Sequence, residues 1–241
     1  MRYADPFLLD LDLTPADVAA TLPREPRWGA VRDALDQLAV GLGPRPARDD
    51  LTRRSPCAEY RRATGGRCPG AAVCPAARAM GLPAAPLAPL LSGTVDCADQ
   101  CPSVLTPVLL ALDATAPAPG EPLRLPQWAP AGAGAAVVLA DPDRPGPAIT
   151  VAVQIALDGN LVERFRLAIG GLATRPLLAE SAAPVQLVKK LHPDLDALIA
   201  EYALAGGQWD GPVAHRRETA EIAIRRAMER LRTAVEDLST V

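Results

Sequence analysis

The five cysteines of this 241-residue chain all fall between positions 57 and 101. They belong to a stretch, from Gly43 to about Pro107, that is rich in Arg, Pro and Gly and has little hydrophobic periodicity. This pattern indicates a loop-rich segment that needs something other than a hydrophobic core to order it, and a bound metal centre would supply that order. We therefore predict that residues 57–101, the cysteine segment, form a loop region organised around a metal centre.

The spacing of the cysteines bears on which metal they would hold. Ten, five, twenty-two and three residues separate them in turn. Thiolates suit zinc or an iron–sulfur cluster, because sulfur is polarizable and a strong donor once deprotonated. No pair has the C-x2-C spacing common at structural zinc sites, and a proline adjoins four of the cysteines, which favours a cluster. From the spacing, iron–sulfur ranks ahead of zinc, and free or structural thiols are a third interpretation.

Composition argues against several function classes. The 25 Lys and Arg face 28 Asp and Glu, a net charge of -3, so no basic excess attracts nucleic acid or an anionic membrane. The stretch MRYADPFLLDLDL has acidic residues within its apolar run, unlike a signal peptide, and no apolar run reaches the roughly 20 residues of a membrane span. We therefore expect a cytoplasmic protein, and in that reducing compartment an odd set of clustered thiols favours metal ligation over disulfides.

Hydrophobic periodicity predicts helices towards both ends of the chain. Thr14-Pro15-Ala16-Asp17 has a capping-box pattern, and a second helix is indicated by apolar residues at intervals of three or four: Trp28, Val31, Leu35, Leu38 and Leu42. Val104–Ala114 is apolar and predicts a short helix that runs into a strand. Residues 185–204 predict another helix, with a break near Pro193. The last helix is expected over 213–238, its apolar stripe formed by Ile224, Ala227, Leu231 and Val235 and its solvent side by Arg225, Arg226, Glu229 and Arg232.

Alternation predicts an antiparallel hairpin in residues 150–169. Apolar residues alternate with smaller or polar ones along 150–157 and again along 164–169, and Asp158-Gly159 supplies a turn between them. We expect this pair of strands to have one buried face. A further strand is predicted at 135–140.

These elements predict an α+β protein, with a helical N-terminal lead-in, a cysteine-rich loop region and a C-terminal small antiparallel sheet packed on a helical bundle. We expect residues 1–115 to carry the lead-in and the cysteine segment. Residues 116–148 are expected to be a Pro/Ala/Gly-rich connector with one strand, and residues 149–241 to form a C-terminal domain.

The C-terminal third resembles a known family. The predicted hairpin ends in AIGGLATRP, residues 168–176, and a helical stretch then leads to HRRETAEIAIRRAMERL, residues 215–231. This order is similar to the C-terminal domain of the flavoprotein (medium) subunit of molybdenum hydroxylases, the xanthine dehydrogenase and carbon monoxide dehydrogenase family. There a small antiparallel sheet carries a GG-V-A-x-R-P segment and packs against a helical bundle. The resemblance covers roughly residues 149–238.

A second stretch, CADQCPSVLTPVLLALDA at residues 97–114, resembles a family segment in which His stands at the position of Cys101. Ahead of that segment some members, including 4-hydroxybenzoyl-CoA reductase, carry a cysteine-rich loop that binds a [4Fe-4S] cluster. The cysteine segment stands where that loop would be. The resemblance therefore implies four cluster ligands, with Cys101 as the alternative fourth ligand: Cys57, Cys68, Cys74 and Cys97.

The chain departs from the family where FAD would bind. Flavoprotein subunits begin with a domain holding a Gly-rich loop of the A-G-G-T-D-L type, whose backbone amides cradle the FAD pyrophosphate. No such loop precedes Cys57, and the family's second flavin-contacting segment, near Cys97–Ser103, is altered. We expect a shortened relative that has kept the cluster loop and the C-terminal domain and lacks a complete FAD domain.

The resemblance implies an electron-transfer subunit of a molybdenum hydroxylase complex that does no substrate chemistry itself. Its partners would be a molybdopterin-binding large subunit and a [2Fe-2S] small subunit. Two alternatives stay open: an FAD-binding subunit of the same class of complex, and a zinc-stabilised scaffold or assembly protein.

Other polar and flexible residues are interpreted structurally. Gly170 and Gly171 indicate a bulge or tight exit at a strand end rather than a cofactor loop. His192 is expected at the surface and His215 at the start of the last helix, and the absence of a nucleophile motif argues against a catalytic triad. A solvated helix face is expected for Arg216, Arg217, Arg225 and Arg226.

Overall fold

The N-terminal part of the fold is helical, as predicted. The computed structural model describes residues 7–10, 12–42, 44, 47, 104–114, 123–126, 131–141, 144–172, 176–205 and 214–238. A short strand β1 (Phe7–Leu9) precedes helix α1 (Pro15–Thr21), a 3-10 turn (Pro26–Trp28) and helix α2 (Gly29–Leu42). The Thr14 hydroxyl accepts a hydrogen bond from the Asp17 N–H at 3.2 Å, and Pro15 occupies the first helical position, so the predicted cap is confirmed.

The next described elements follow the cysteine segment. Helix α3 (Leu105–Leu112) lies within the apolar stretch predicted to be helical, and strand β2 (Leu123–Leu125) comes after it. β2 pairs antiparallel with β1, with Leu8 opposite Arg124. This two-stranded sheet ties the beginning of the described chain to the residues after α3.

The larger sheet of the described chain has four strands, all antiparallel. In sheet order these are β3 (Gly132–Asp141), β4 (Arg144–Asp158), β5 (Leu161–Gly170) and β6 (Leu177–Leu178). β4 and β5 are the predicted hairpin, and the strand predicted at 135–140 lies in β3, at one edge of the same sheet. The hairpin turn falls one residue later than predicted, because Asp158 pairs with Leu161 and Gly159, with φ +59°, takes the first central position. A glycine there suits a two-residue type II′ turn.

The C-terminal helices are α4 (Ala183–Gln186), α5 (Asp196–Ala205) and α6 (Ala214–Leu238). The helix predicted over 185–204 is interrupted between Gln186 and Asp196, and this gap is longer than Pro193 alone would cause. Val188 has φ +54°, its N–H donates to the Val162 carbonyl at 2.8 Å, and the Val162 N–H donates to the Lys189 carbonyl at 2.9 Å. The chain leaves the helix after α4 because it pairs with β5 at this point.

Both faces of the four-stranded sheet are buried. On one face Val151, Val153 and Leu167 pack with α5 and α6 in one apolar cluster, which includes the predicted α6 stripe. On the other face α1, α2 and α3 pack in a second cluster over four alanines, Ala136, Ala152, Ala156 and Ala168. The expectation of a single buried face is therefore wrong. Alanine gives little hydrophobic signal in a sequence, yet its short side chain lets a helix lie close to the sheet.

Helix α2 and strand β3 meet at two glycines. A Cβ on Gly29 would lie 2.1 Å from the Gly134 carbonyl oxygen, and a Cβ on Gly134 would lie 2.0 Å from Oε1 of Gln154. The amide Nε2 of Gln154, which is fully buried, donates to the Arg27 carbonyl at 3.0 Å just before α2. The close approach of α2 to the sheet thus depends on the absence of side chains at both positions.

The predicted α+β class is confirmed. The N-terminal helices cover one face of the larger sheet, and α6 covers the other. The cysteine segment connects α2 to α3, two helices of the same layer.

Candidate functional site

The predicted metal ligands lie outside the described residues: Cys57, Cys68, Cys74, Cys97 and the alternative Cys101. The structure describes both flanks of the cysteine segment. Ala47, ahead of it, is fully buried, and its N–H donates to the Leu13 carbonyl at 2.9 Å. Val104 and Leu105, behind it, are buried in the same apolar cluster as Ala47. The chain therefore leaves for the cysteine segment and returns from it at one layer of the fold.

The strongest metal donors in the cysteine segment are its thiols, which stand beside three carboxylates, Glu59, Asp96 and Asp99. Five cysteines and no histidine lie between residues 57 and 101. Iron–sulfur clusters are commonly held by four thiolates, and zinc accepts the same set, so the donor chemistry fits either. Within the ranges that the structure describes, no group of three or more His, Cys, Asp or Glu is placed to hold a metal ion.

Helix α3, which follows Cys101 after three residues, ends in a well-formed cap. Asp113 adopts the left-handed conformation with φ 61°, its N–H donates to Leu110, and the Ala114 N–H donates to Leu109 at 2.9 Å. These two bonds form a Schellman motif, with Asp in the position where Gly is usual. Asp tolerates this conformation better than most residues.

Two arginines of β5 hold the end of α3 on the sheet. Arg164 donates to the Asp113 carboxylate at 3.0 Å, and Arg166 Nη2 lies 3.2 Å from its second oxygen. Arg166 also donates to the Leu110 carbonyl at 2.9 Å. Burial lowers the pKa of the Arg166 guanidinium, and the nearby Asp113 carboxylate offsets part of that effect. Arg166 is only 19% exposed and Arg164 is 48% exposed, and their shared partner Asp113 is about 50 residues away in sequence.

A hydrogen bond joins two of the three stretches that carry the family resemblance, residues 168–176 and 215–231. Gly170 ends β5 and Gly171 has φ +97°, a conformation that favours glycine, which confirms a tight exit from the strand. Arg216, in the HRR stretch, donates from Nη1 to the Gly171 carbonyl at 3.2 Å. Arg216 therefore has a structural contact that the expected solvated face did not include. Arg217, Arg225 and Arg226 are exposed, as predicted.

A second arginine expected on the solvent side of α6 is also engaged. Arg232 Nη1 lies 2.6 Å from the Asp196 carboxylate, and the two side chains are only 18% and 12% exposed. This ion pair joins α6 to the first turn of α5. The expectation of a fully solvated position for Arg232 is therefore wrong, because α5 packs beside α6 at that point.

A third polar group spans the edge strand β3. The Asp33 carboxylate of α2 accepts from the Ala136 N–H at 2.9 Å, and Arg230 Nη1 of α6 donates to the Ala136 carbonyl at 2.8 Å. Burial raises the pKa of Asp33, and the Ala136 N–H and the Arg230 charge offset part of that rise. The pattern of apolar residues in α2 gave no reason to single out Asp33.

The described histidine, His192, lies at the surface. His192 is 61% exposed, as predicted, and its Nδ1 accepts from the Asp194 N–H at 3.3 Å at the start of a 3-10 turn. The side chain of His215 lies outside the described set. In the part of the chain that the structure describes, no helix is long and apolar enough to cross a membrane.

Comparison with known proteins gives a partial structural likeness. No protein-family model and no curated protein match the chain. Carbon monoxide dehydrogenase from Hydrogenophaga pseudoflava, in a form lacking the Mo-pyranopterin moiety of its molybdenum cofactor, is similar with TM-score 0.43 and 21% identity, over 47% of this chain and 41% of that one. Reconstituted CO dehydrogenase from Oligotropha carboxidovorans is similar with TM-score 0.42 and 22% identity, over 47% and 41%. Quinoline 2-oxidoreductase from Pseudomonas putida 86 is similar with TM-score 0.40 and 20% identity, over 48% and 42%.

The chain thus spans about two fifths of the length of these neighbours. At these identities and TM-scores, the likeness assigns neither an activity nor a cofactor to this chain.

Proposed function

We propose that the chain is an electron-transfer subunit of a molybdenum hydroxylase complex and holds a [4Fe-4S] cluster. The proposed ligands are Cys57, Cys68, Cys74 and Cys97, with Cys101 as the alternative to Cys97. The observation that carries the proposal is the grouping of all five cysteines in one segment whose two flanks are buried in one apolar layer. The family resemblance of residues 97–114 and 149–238 supports it.

The described residues suit the task of holding such a segment. Its first flank is fixed by the buried Ala47, and its second by α3, whose C-terminal end is tied to β5 through Asp113 and two arginines. Anchored ends reduce the number of arrangements open to the intervening chain, which lowers the entropy lost when four thiolates bind one centre. When bound, the cluster would supply one-electron transfer, and the protein would tune its potential by burial and hydrogen bonds to sulfur.

The proposed partners follow from the same resemblance. They are a molybdopterin-binding large subunit, where substrate would be oxidised, and a [2Fe-2S] small subunit. The proposed location is the cytoplasm.

Anaerobic reconstitution tests the cluster. The full chain, purified and incubated with iron and sulfide, is expected to bind about four of each and to give an electron paramagnetic resonance signal after reduction. Replacing Cys68 or Cys74 by Ser should abolish the signal. Only one of Cys97→Ser and Cys101→Ser should abolish it, and that variant identifies the fourth ligand. Absence of iron in the reconstituted protein would refute the proposal.

The second candidate is a zinc-stabilised scaffold, because four thiolates also suit zinc. In that case the purified chain would carry one zinc, and Cys68→Ser would lower the unfolding midpoint without changing any redox spectrum of the complex. Flavin released by acid from the purified complex, in proportion to this subunit, would instead support an FAD-binding subunit.

A further inference from the structure

The outer edge of β3 is occupied by side chains from two helices that lie on opposite faces of the sheet. The Asp33 carboxylate of α2 accepts a hydrogen bond from the Ala136 N–H, and Arg230 of α6 donates one to the Ala136 carbonyl. The two side chains, here called the edge pair, approach each other to 3.8 Å between Arg230 Nη1 and Asp33 Oδ2. Both backbone groups of one residue of an edge strand are therefore satisfied from outside the sheet.

The position of Ala136 explains the geometry. In an antiparallel ladder, residues alternate between those that exchange both hydrogen bonds with the neighbouring strand and those whose N–H and C=O point the other way. Ala136 lies opposite Ala152 of β4, yet its backbone groups bond to the edge pair, so they point away from β4. The edge pair thus stands where an additional strand would stand, with a carboxylate as acceptor and a guanidinium as donor.

The sequence of β3 would favour pairing with another chain if its outer edge were unprotected. Its ten residues are GAGAAVVLAD, with no charge before Asp141 and no proline. An apolar edge strand of this length is a template for pairing with another chain, and proteins commonly block such edges with charged side chains. Two β3 strands pairing antiparallel around Ala136 would bring apolar residues opposite one another, with no opposed like charges to prevent it.

We propose that Asp33 and Arg230 act as a guard that prevents β3 from pairing with β3 of a second copy of this chain. An incoming strand would have to displace both side chains from Ala136 and desolvate two charges that are now 32% and 52% exposed. Because the pair comes from the two opposite helical layers, it also holds α2 and α6 around the edge.

The test compares self-association of full-length variants. Asp33→Ala combined with Arg230→Ala is expected to raise the weight-average mass of the protein, measured by sedimentation or light scattering, increasingly with concentration and above that of the wild type. Arg230→Ala alone, which leaves the N–H satisfied, should show a smaller rise. The matched control is Glu221→Ala combined with Arg225→Ala, which removes an ion pair of α6 that does not touch the sheet edge.

A proline separates edge pairing from general unfolding. By the same alternation, the N–H of Val138 is on the outer side of β3 with that of Ala136, and a proline on an outward edge position blocks pairing. Val138→Pro added to the double variant should return the mass to the wild-type value. The proposal is overturned if neither edge variant associates more than wild type, or if the association persists with Val138→Pro. Should the double variant fail to fold, Arg230→Ala with and without Val138→Pro decides in the same way.

Discussion

The contact between α2 and β3 predicts that a single added methyl group at Gly29 destabilises the fold. The new Cβ would lie 2.1 Å from the Gly134 carbonyl oxygen and 3.2 Å from its carbonyl carbon. Both are backbone atoms, so no change of rotamer relieves the overlap. To reach an ordinary contact of 3.4 Å, the helix and the strand would have to separate by about 1.3 Å.

The magnitude follows from two opposing effects. Overpacking of this kind costs about 1–3 kcal/mol, and the upper end applies because the clashing atoms are fixed in a strand. Replacing Gly by Ala in a helix returns up to about 1 kcal/mol through the lower entropy of the unfolded chain. We expect Gly29→Ala to lower the free energy of unfolding by about 2 kcal/mol.

The same helix supplies a matched control. Gly41 of α2 has no atom within 4 Å of an added Cβ, so Gly41→Ala should stabilise the protein by about 0.5–1 kcal/mol. Urea unfolding of the three proteins, in the same metal state, gives both differences from the midpoints if the m-values agree. A Gly29→Ala protein as stable as wild type would refute the close approach of α2 to β3.

Three further substitutions test separate contacts. Asp33→Asn should be more stable than wild type at neutral pH. Burial raises the pKa of Asp33, so the folded state favours the protonated carboxyl. The stability that this protonation gives the wild type is present below about pH 4 and is lost as pH rises through the folded-state pKa. If the urea midpoints of wild type and Asp33→Asn do not converge as the pH is lowered, this expectation is wrong. Val188→Asn should raise Tm and stability by up to about 1 kcal/mol, because Asn tolerates φ +54° and the Val side chain is 78% exposed; a lower Tm would count against the strain. Arg216→Met should cost about 1 kcal/mol in urea by removing the bond to Gly171, whereas the exposed Arg217→Met should change little, and equal effects would refute the difference.

Some features of the candidate site follow from the sequence, and others follow only from the tertiary structure. The number, identity and spacing of the thiols are properties of the sequence, and so is the choice between iron–sulfur and zinc that they leave open. The burial of Ala47 and Val104 in a common cluster is not, because these residues are 57 positions apart and neither belongs to a periodic pattern that crosses the cysteine segment. The contacts of Arg164 and Arg166 with Asp113 could not be predicted from the sequence for the same reason.

Local features of the fold were determined by the sequence itself. The Thr14 cap, the β4–β5 hairpin and the apolar stripe of α6 depend on residues within a few positions of one another, so spacing and turn chemistry suffice to find them. Only the tertiary structure decided that the hairpin is buried on both faces, because alanines carry little hydrophobic signal until helices pack against them. It alone joined Asp33 and Arg230 to Ala136 across 103 and 94 positions, because a hydrogen bond to an edge strand depends on which helices lie beside that strand and not on the residues next to it in the chain.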